Sequence, residues 1–220
     1  MKFLTNRLFF SFFILFNSLA HSALIDITRI FHQKPTLSQF EICQGGGCYE
    51  EDKTSLSAAE WQPIATLFVP MPTNAETERK QIALAIGMLE EIVGKKIGTS
   101  GDLAGTFNFA YKGQQDCNDE AINTTTYMRL LQQAGYLKFH TIEDMRTRNF
   151  FFTGWPHTTA VILDSKTGDK FAVDSWFYDN GHPAAIVPFA QWKANYKPAD
   201  SPIGKVRNVP ENVQSAHASQ

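Results

Sequence analysis

The chain carries little cysteine and almost no net charge. Three Cys stand among 220 residues, and 20 Lys and Arg offset 22 Asp and Glu to leave a formal charge of -2. Without a basic stripe, nucleic acid is not an expected partner. Beyond residue 23 no stretch is apolar and long enough to span a bilayer, so no membrane span is expected there. Internal repeats and low-complexity blocks are also lacking. The chain beyond its first twenty-odd residues is long enough for one domain with a real core.

Those first residues read as an address. Lys2 and Arg7 give a positive start, and Leu8 to Phe16 form an apolar run broken only by Ser11. Small residues come next at Ser18, Ala20, Ser22 and Ala23. This is the pattern of a secretory signal peptide over 1–20, with cleavage after Ala20 favoured and sites up to 23 as rivals. No Cys follows the apolar run, which argues against a lipid-anchored form. A periplasmic or secreted protein is therefore expected, with its domain over 24–197. Residues 198–220, rich in Pro, Asn, Ser and Gln, read as a flexible tail.

An oxidising compartment gives the scarce cysteines a meaning. Cys43 and Cys48 flank Gln44-Gly45-Gly46-Gly47, and a disulfide across that glycine loop is the economical pairing. A metal site is the rival, yet two Cys with no nearby His or second Cys pair make half a zinc site. A thioredoxin-type redox pair would have two intervening residues, not four. Cys117 is left as a free thiol.

Periodicity gives the frame. Thr73 with Glu76 is a capping-box signature, and Ile82, Ile86, Leu89, Ile92 and Val93 come after it at helical spacing up to Gly94 or Gly98. A second helix starts near Cys117, capped by Asp116 or Asn118; Ala121, Thr125, Met128 and Leu131 share a face and Gly135 ends it. Tyr136 to Phe139 read as a strand, leading into a polar connection. Phe150-Phe151-Phe152 reads as core strand. Two apolar runs around Asp164 to Lys170 form a β-hairpin. Helices first and a hairpin sheet later indicate an α+β fold.

Cys117, His157 and Asp174 are the parts of a cysteine-nucleophile triad. A helix N-terminus favours a thiolate, but Asp116, Asp119 and Glu120 oppose it, so Cys117 needs a histidine partner. With Ser165 to Gly168 as a four-residue loop, Asp164 faces Asp169 and His157 faces Trp176. Asp174 is then a diagonal neighbour of His157 on the same face. A slip of one residue would send it to the other face. The remaining histidines are poorer candidates: His21 and His217 are terminal, His32 lies in a polar stretch, His182 in a turn. His140 has no carboxylate at a predictable strand neighbour. Trp155 and Trp176 read as core or pocket wall.

Asp116-Cys117-Asn118-Asp119-Glu120-Ala121, Trp155-Pro156-His157-Thr158-Thr159-Ala160-Val161 and Val173-Asp174-Ser175 resemble the transglutaminase-like superfamily. The nearest branch is the exported bacterial transglutaminase-like cysteine proteinases, and the resemblance spans about Phe107 to Trp176, with an outer bound at Trp192. It implies a papain-like core, with the cysteine helix packed on an antiparallel sheet bearing His and Asp. It also implies Cys117 as nucleophile, His157 as general base and acid, and Asp174 as orienting carboxylate. Departures are Asn118 where the branch often has Glu, Glu120 where it has Tyr, and Thr158-Thr159 before Ala160. Some members bind calcium near the cysteine; Asp116, Asp119 and Glu120 could supply oxygens, with helix-end capping as the alternative. Otherwise no cofactor is expected. The Cys117 N–H is a natural oxyanion donor, with Gln114, Gln115 or Trp155 as candidates for a second. The expected activity is acyl transfer by a monomer on a protein or peptide of the cell envelope, to water or to an amine. The alternative is a binding or structural module that has lost the chemistry.

Overall fold

The computed structural model describes residues 28–107, 112–149 and 156–205. The signal segment, Phe150-Phe151-Phe152, Trp155, His21, His217 and 206–220 lie outside the described residues. The chain divides into two compact units, 1–33 and 34–220. Of the first, a single helical turn is described, closed by His32 N–H on the Thr28 carbonyl at 3.0 Å.

The second unit opens with an antiparallel hairpin, β1 (Phe40–Gln44) and β2 (Glu50–Thr54). Its loop holds Gly45, Gly46, Gly47 and Cys48 at φ 84°, 84°, 60° and 58°. That left-handed run suits glycine and few other residues. It brings Cys43 and Cys48 together in a disulfide, with Cα atoms 4.6 Å apart.

Two helices come next. α1 (Ala58–Leu67) starts on a capping box between Ser57 and Glu60. α2 (Ala75–Ile97) is capped by Asn74, whose side chain accepts the Thr77 N–H. The expected cap, Thr73, is one residue early, because both residues carry the right chemistry and only the backbone chooses. Gly98, at φ 88°, ends α2 as expected. Ile82, Ile86, Leu89 and Val93 are fully buried, and Ile92 only partly.

After α3 (Cys117–Gln133) come β3 (His140–Arg148), β4 (His157–Asp164), β5 (Lys170–Asp174), β6 (Ala185–Pro188) and the short α4 (Phe189–Lys193). The four strands form one antiparallel sheet in sequence order, so the fold is α+β. The expected strand at Tyr136 to Phe139 is a connection, and the expected connection is β3. As an edge strand it shows solvent a run of polar side chains, so its composition imitates a loop. The hairpin register is the one expected: Ala160 pairs with Val173 and Leu163 with Lys170 around the turn at Gly168.

α3 lies against β4, β5 and β1. The expected face of Ala121, Thr125, Met128 and Leu131 is buried, but so are Asn123, Thr124, Thr126 and Tyr127 on other faces. α2, α3, β1 and the large sheet share one core containing Ile42, Ile86, Leu89, Met128, Leu131, Ile162 and Val173. Each large apolar side chain buried there contributes about 1.5–3 kcal/mol before entropy is subtracted.

The packed chain also runs past 197. Ser201 is buried and donates from Oγ to the Phe177 carbonyl at 2.7 Å, and Ile203 packs beside Phe177 and Trp192. Residues 198–205 are therefore part of the second unit and not a free tail.

Candidate active site

Local chemistry fixes where Cys117 sits. Asp116 is the N-cap of α3 and accepts the N–H groups of Asn118 at 2.9 Å and Asp119 at 3.0 Å. Asp119 reaches back to the Asp116 N–H at 3.2 Å, completing a capping box. Cys117 is thus the first residue of the helix. Asp119 also accepts from Gly46 and Cys48 of the disulfide loop, and Asn123 both accepts from and donates to the Cys43 backbone at 2.8 Å.

His157 begins β4 and Asp174 ends β5. The expected diagonal contact is a hydrogen bond of 2.7 Å from His157 Nε2 to Asp174 Oδ2. That bond places a donating N–H on Nε2 and makes Nδ1 the other ring nitrogen, not engaged by Asp174. Nδ1 is buried and has no hydrogen-bond partner among the described residues. Trp176, Phe177 and Trp192 surround the imidazole, their centroids 4.5, 5.4 and 5.6 Å away.

The Cys117 thiol is buried, and burial pushes its pKa up to about 12. The Thr158 backbone N–H, next to His157, is the largest opposing influence. Asp116 and Asp174 raise the pKa further, and the Cys117 N–H lowers it. The resting thiol is therefore neutral. Helix position and acidic neighbours are legible in the sequence; burial, the dominant cause, is not.

Beside Cys117 and Asp174 lies a set of acids that sequence reasoning missed or misread. Glu120 accepts the Ser175 hydroxyl, which also lies 3.1 Å from Thr124 Oγ1. Burial raises Glu120 to about 7 and lifts Asp102 and Glu90 well above the usual carboxylate range. Asp119 is also raised by burial, to about 7. As for calcium, Asp116 and Asp119 spend their oxygens on backbone N–H groups, and Glu120 accepts from Ser175. Among the described residues, no three His, Cys, Asp or Glu side chains are grouped to hold a metal ion.

Other expected residues have structural work. Gln115 Nε2 donates to the Cys43 carbonyl, and Gln114 Nε2 donates to the carbonyls of Gly101 and Gly113. His140 does have a carboxylate partner, from a helix: Nδ1 lies 2.8 Å from Glu78 and Nε2 3.1 Å from Arg79. His182 is exposed and stacks on Tyr178. The unforeseen contributor is Trp192, whose indole Nε1 donates to Asp174 Oδ2 at 2.6 Å. No spacing rule links it to Asp174; the only signal is that a buried indole N–H needs an acceptor.

The fold and site define an α+β protein with a buried thiol at a helix start and an Asp-paired histidine on the adjoining sheet. Compared with known protein families, with curated proteins and with solved structures, the chain finds no match in any of the three.

Proposed function

We propose that the protein is an exported cysteine-dependent peptidase or amidase with a transglutaminase-like, papain-like core, acting on a protein or peptide of the cell envelope. The observation that carries this reading is the His157 imidazole, held through Nε2 by Asp174 while Nδ1 is buried with no hydrogen-bond partner among the described residues, next to the residue whose N–H favours the Cys117 thiolate. In this reading Nδ1 takes the thiol proton as sulfur attacks the amide carbonyl, because a neutral thiol needs a base at the moment of attack. The tetrahedral intermediate collapses when imidazolium protonates the leaving amine. Water then releases the acyl group, or an amine accepts it.

A second reading, a non-catalytic module of the envelope, is favoured by the depth of the thiol, only 4% exposed and with its pKa pushed up to about 12. Alkylation of the mature protein with iodoacetamide at about pH 6 separates the two, since an ordinary thiol is almost fully protonated there. The catalytic reading expects labelling of Cys117 at least about tenfold faster than in His157→Ala, a ratio worth about 1.4 kcal/mol. Equal rates in the two proteins favour the module. Substrates are then sought by comparing envelope proteomes from cells carrying the native chain and Cys117→Ala.

A further inference from the structure

We infer that Trp192 is a positioning residue for the His157–Asp174 pair, held in place by Arg148 through a closed circuit of side chains. Asp174 Oδ2 receives two N–H donors, His157 Nε2 at 2.7 Å and Trp192 Nε1 at 2.6 Å. A carboxylate oxygen has two lone pairs, so this pair of donors saturates Oδ2 and fixes its place. The indole is itself closely packed: it is fully buried and stacks on Phe189 at 5.5 Å with planes 17° apart.

Arg148 closes the circuit. It ends β3 directly opposite His157. Its guanidinium lies 4.7 Å from the Trp192 ring centroid and donates to the carbonyls of Trp192 and Tyr196. His157's own cross-strand neighbour therefore holds α4, and α4 holds the carboxylate that holds His157. Among the described residues, the charged and titratable groups that interact with Asp174 include His157 on β4, Arg148 on β3, and Cys117 and Glu120 on α3. Trp192 is the donor that α4 supplies, and it carries no charge, so its effect is orientation and hydrogen-bond strength.

Removing that donor has a definite sign. With one N–H fewer, the Asp174 oxygen becomes the stronger acceptor for His157, and the imidazolium is favoured. Trp192→Phe keeps an aromatic ring and deletes the donor. In this variant the His157 titration, read from ¹⁵N imidazole shifts, is expected to move to higher pH, with about threefold tighter proton binding, and the thermal midpoint to fall because a buried ring shrinks and a buried carboxylate loses a donor. An unchanged His157 titration in a folded Trp192→Phe protein overturns the proposal and leaves Trp192 as packing.

The wild-type indole supplies a check that survives a variant failing to fold. The Trp192 Nε1–H proton should resonate downfield and exchange slowly, and Asp174→Asn should move it upfield. No movement overturns the proposal as well. The inference rests on the proposed function only for its consequence at sulfur. An unreactive Cys117 would sink the catalytic reading and leave both NMR outcomes standing.

Discussion

Asp119 of α3 accepts the backbone N–H of Cys48 at 2.5 Å, so the disulfide loop is fastened to the turn of helix that begins with Cys117. The same carboxylate holds Gly46 N–H at 2.7 Å and Asp116 N–H at 3.2 Å. Asp119→Ala would leave these three N–H groups short of an acceptor, two of them in the disulfide loop. A loss of about 2–4 kcal/mol is expected, read as a lower urea midpoint. Because the loop is tied to the start of α3, alkylation of Cys117 should also accelerate. Cys43→Ser with Cys48→Ser tests the covalent half of this arrangement. In the chain-entropy account so short a loop is worth about 2 kcal/mol, and a drop of that order in denaturant stability is the expected reading.

The buried acids give a pH dependence whose sign comes from their direction. Glu120 and Asp119 are raised to about 7, and Glu90 and Asp102 are raised well above the usual range. Between the unfolded carboxylate pKa and these folded values the native protein binds more protons than the unfolded chain. Stability from these groups is full below about pH 4 and is lost as pH rises toward 7 and beyond. Each proton contributes a slope of about 1.4 kcal/mol per pH unit in that window. The protein should thus be harder to unfold at pH 5 than at pH 8. Glu120→Gln should flatten the slope and raise the pH 8 midpoint. A stability maximum at pH 8 with wild-type slope in Glu120→Gln would contradict it.

Gly87 lies in the middle of α2, where glycine is normally unfavourable by about 1 kcal/mol. A Cβ there would meet the Gly181 carbonyl oxygen at 2.7 Å and the His182 carbonyl carbon at 2.8 Å. Both are backbone atoms and cannot swing aside as a side-chain tip can. Gly87→Ala should cost about 1–3 kcal/mol despite its better helix propensity, and a lower thermal midpoint is the expected result. Gly101, with open space around its Cβ position, is the control; Gly101→Ala should leave the midpoint nearly unmoved.

Legibility in the chain tracks a physical divide. The α2 stripe, the start of α3 and the β4–β5 register were legible, because each rests on local rules of periodicity, capping and turn length. The His157–Asp174 contact came from register alone, despite the long separation in sequence. β3 was missed because an edge strand can be polar, and the burial of α3 on several faces because its threonines bond within the helix, Thr125 Oγ1 to the Ala121 carbonyl at 2.7 Å among them. Trp192, Arg148 and the Glu90–Asp102–Glu120 set were hidden for another reason. Each meets the site through tertiary packing, and no sequence spacing encodes that meeting.

The triad reading makes one demand that a merely structural His–Asp pair does not. In that reading Asp174 acts on Cys117 in two opposing ways. Through His157 it would support the base that removes the thiol proton; directly, its negative charge raises the thiol pKa. In the wild-type background the first effect should dominate, and Asp174→Asn should slow iodoacetamide labelling of Cys117 by about tenfold or more. In a His157→Ala background only the direct repulsion is left, so the same substitution should now speed labelling by a factor of about two to five. The sign of the Asp174→Asn effect therefore reverses with His157. Pseudo-first-order alkylation rates for the four proteins measure it, with intact folding checked by far-UV circular dichroism. If Asp174→Asn changes the rate by the same factor in both backgrounds, the two residues act on the thiol independently and His157 is not the channel through which Asp174 reaches it.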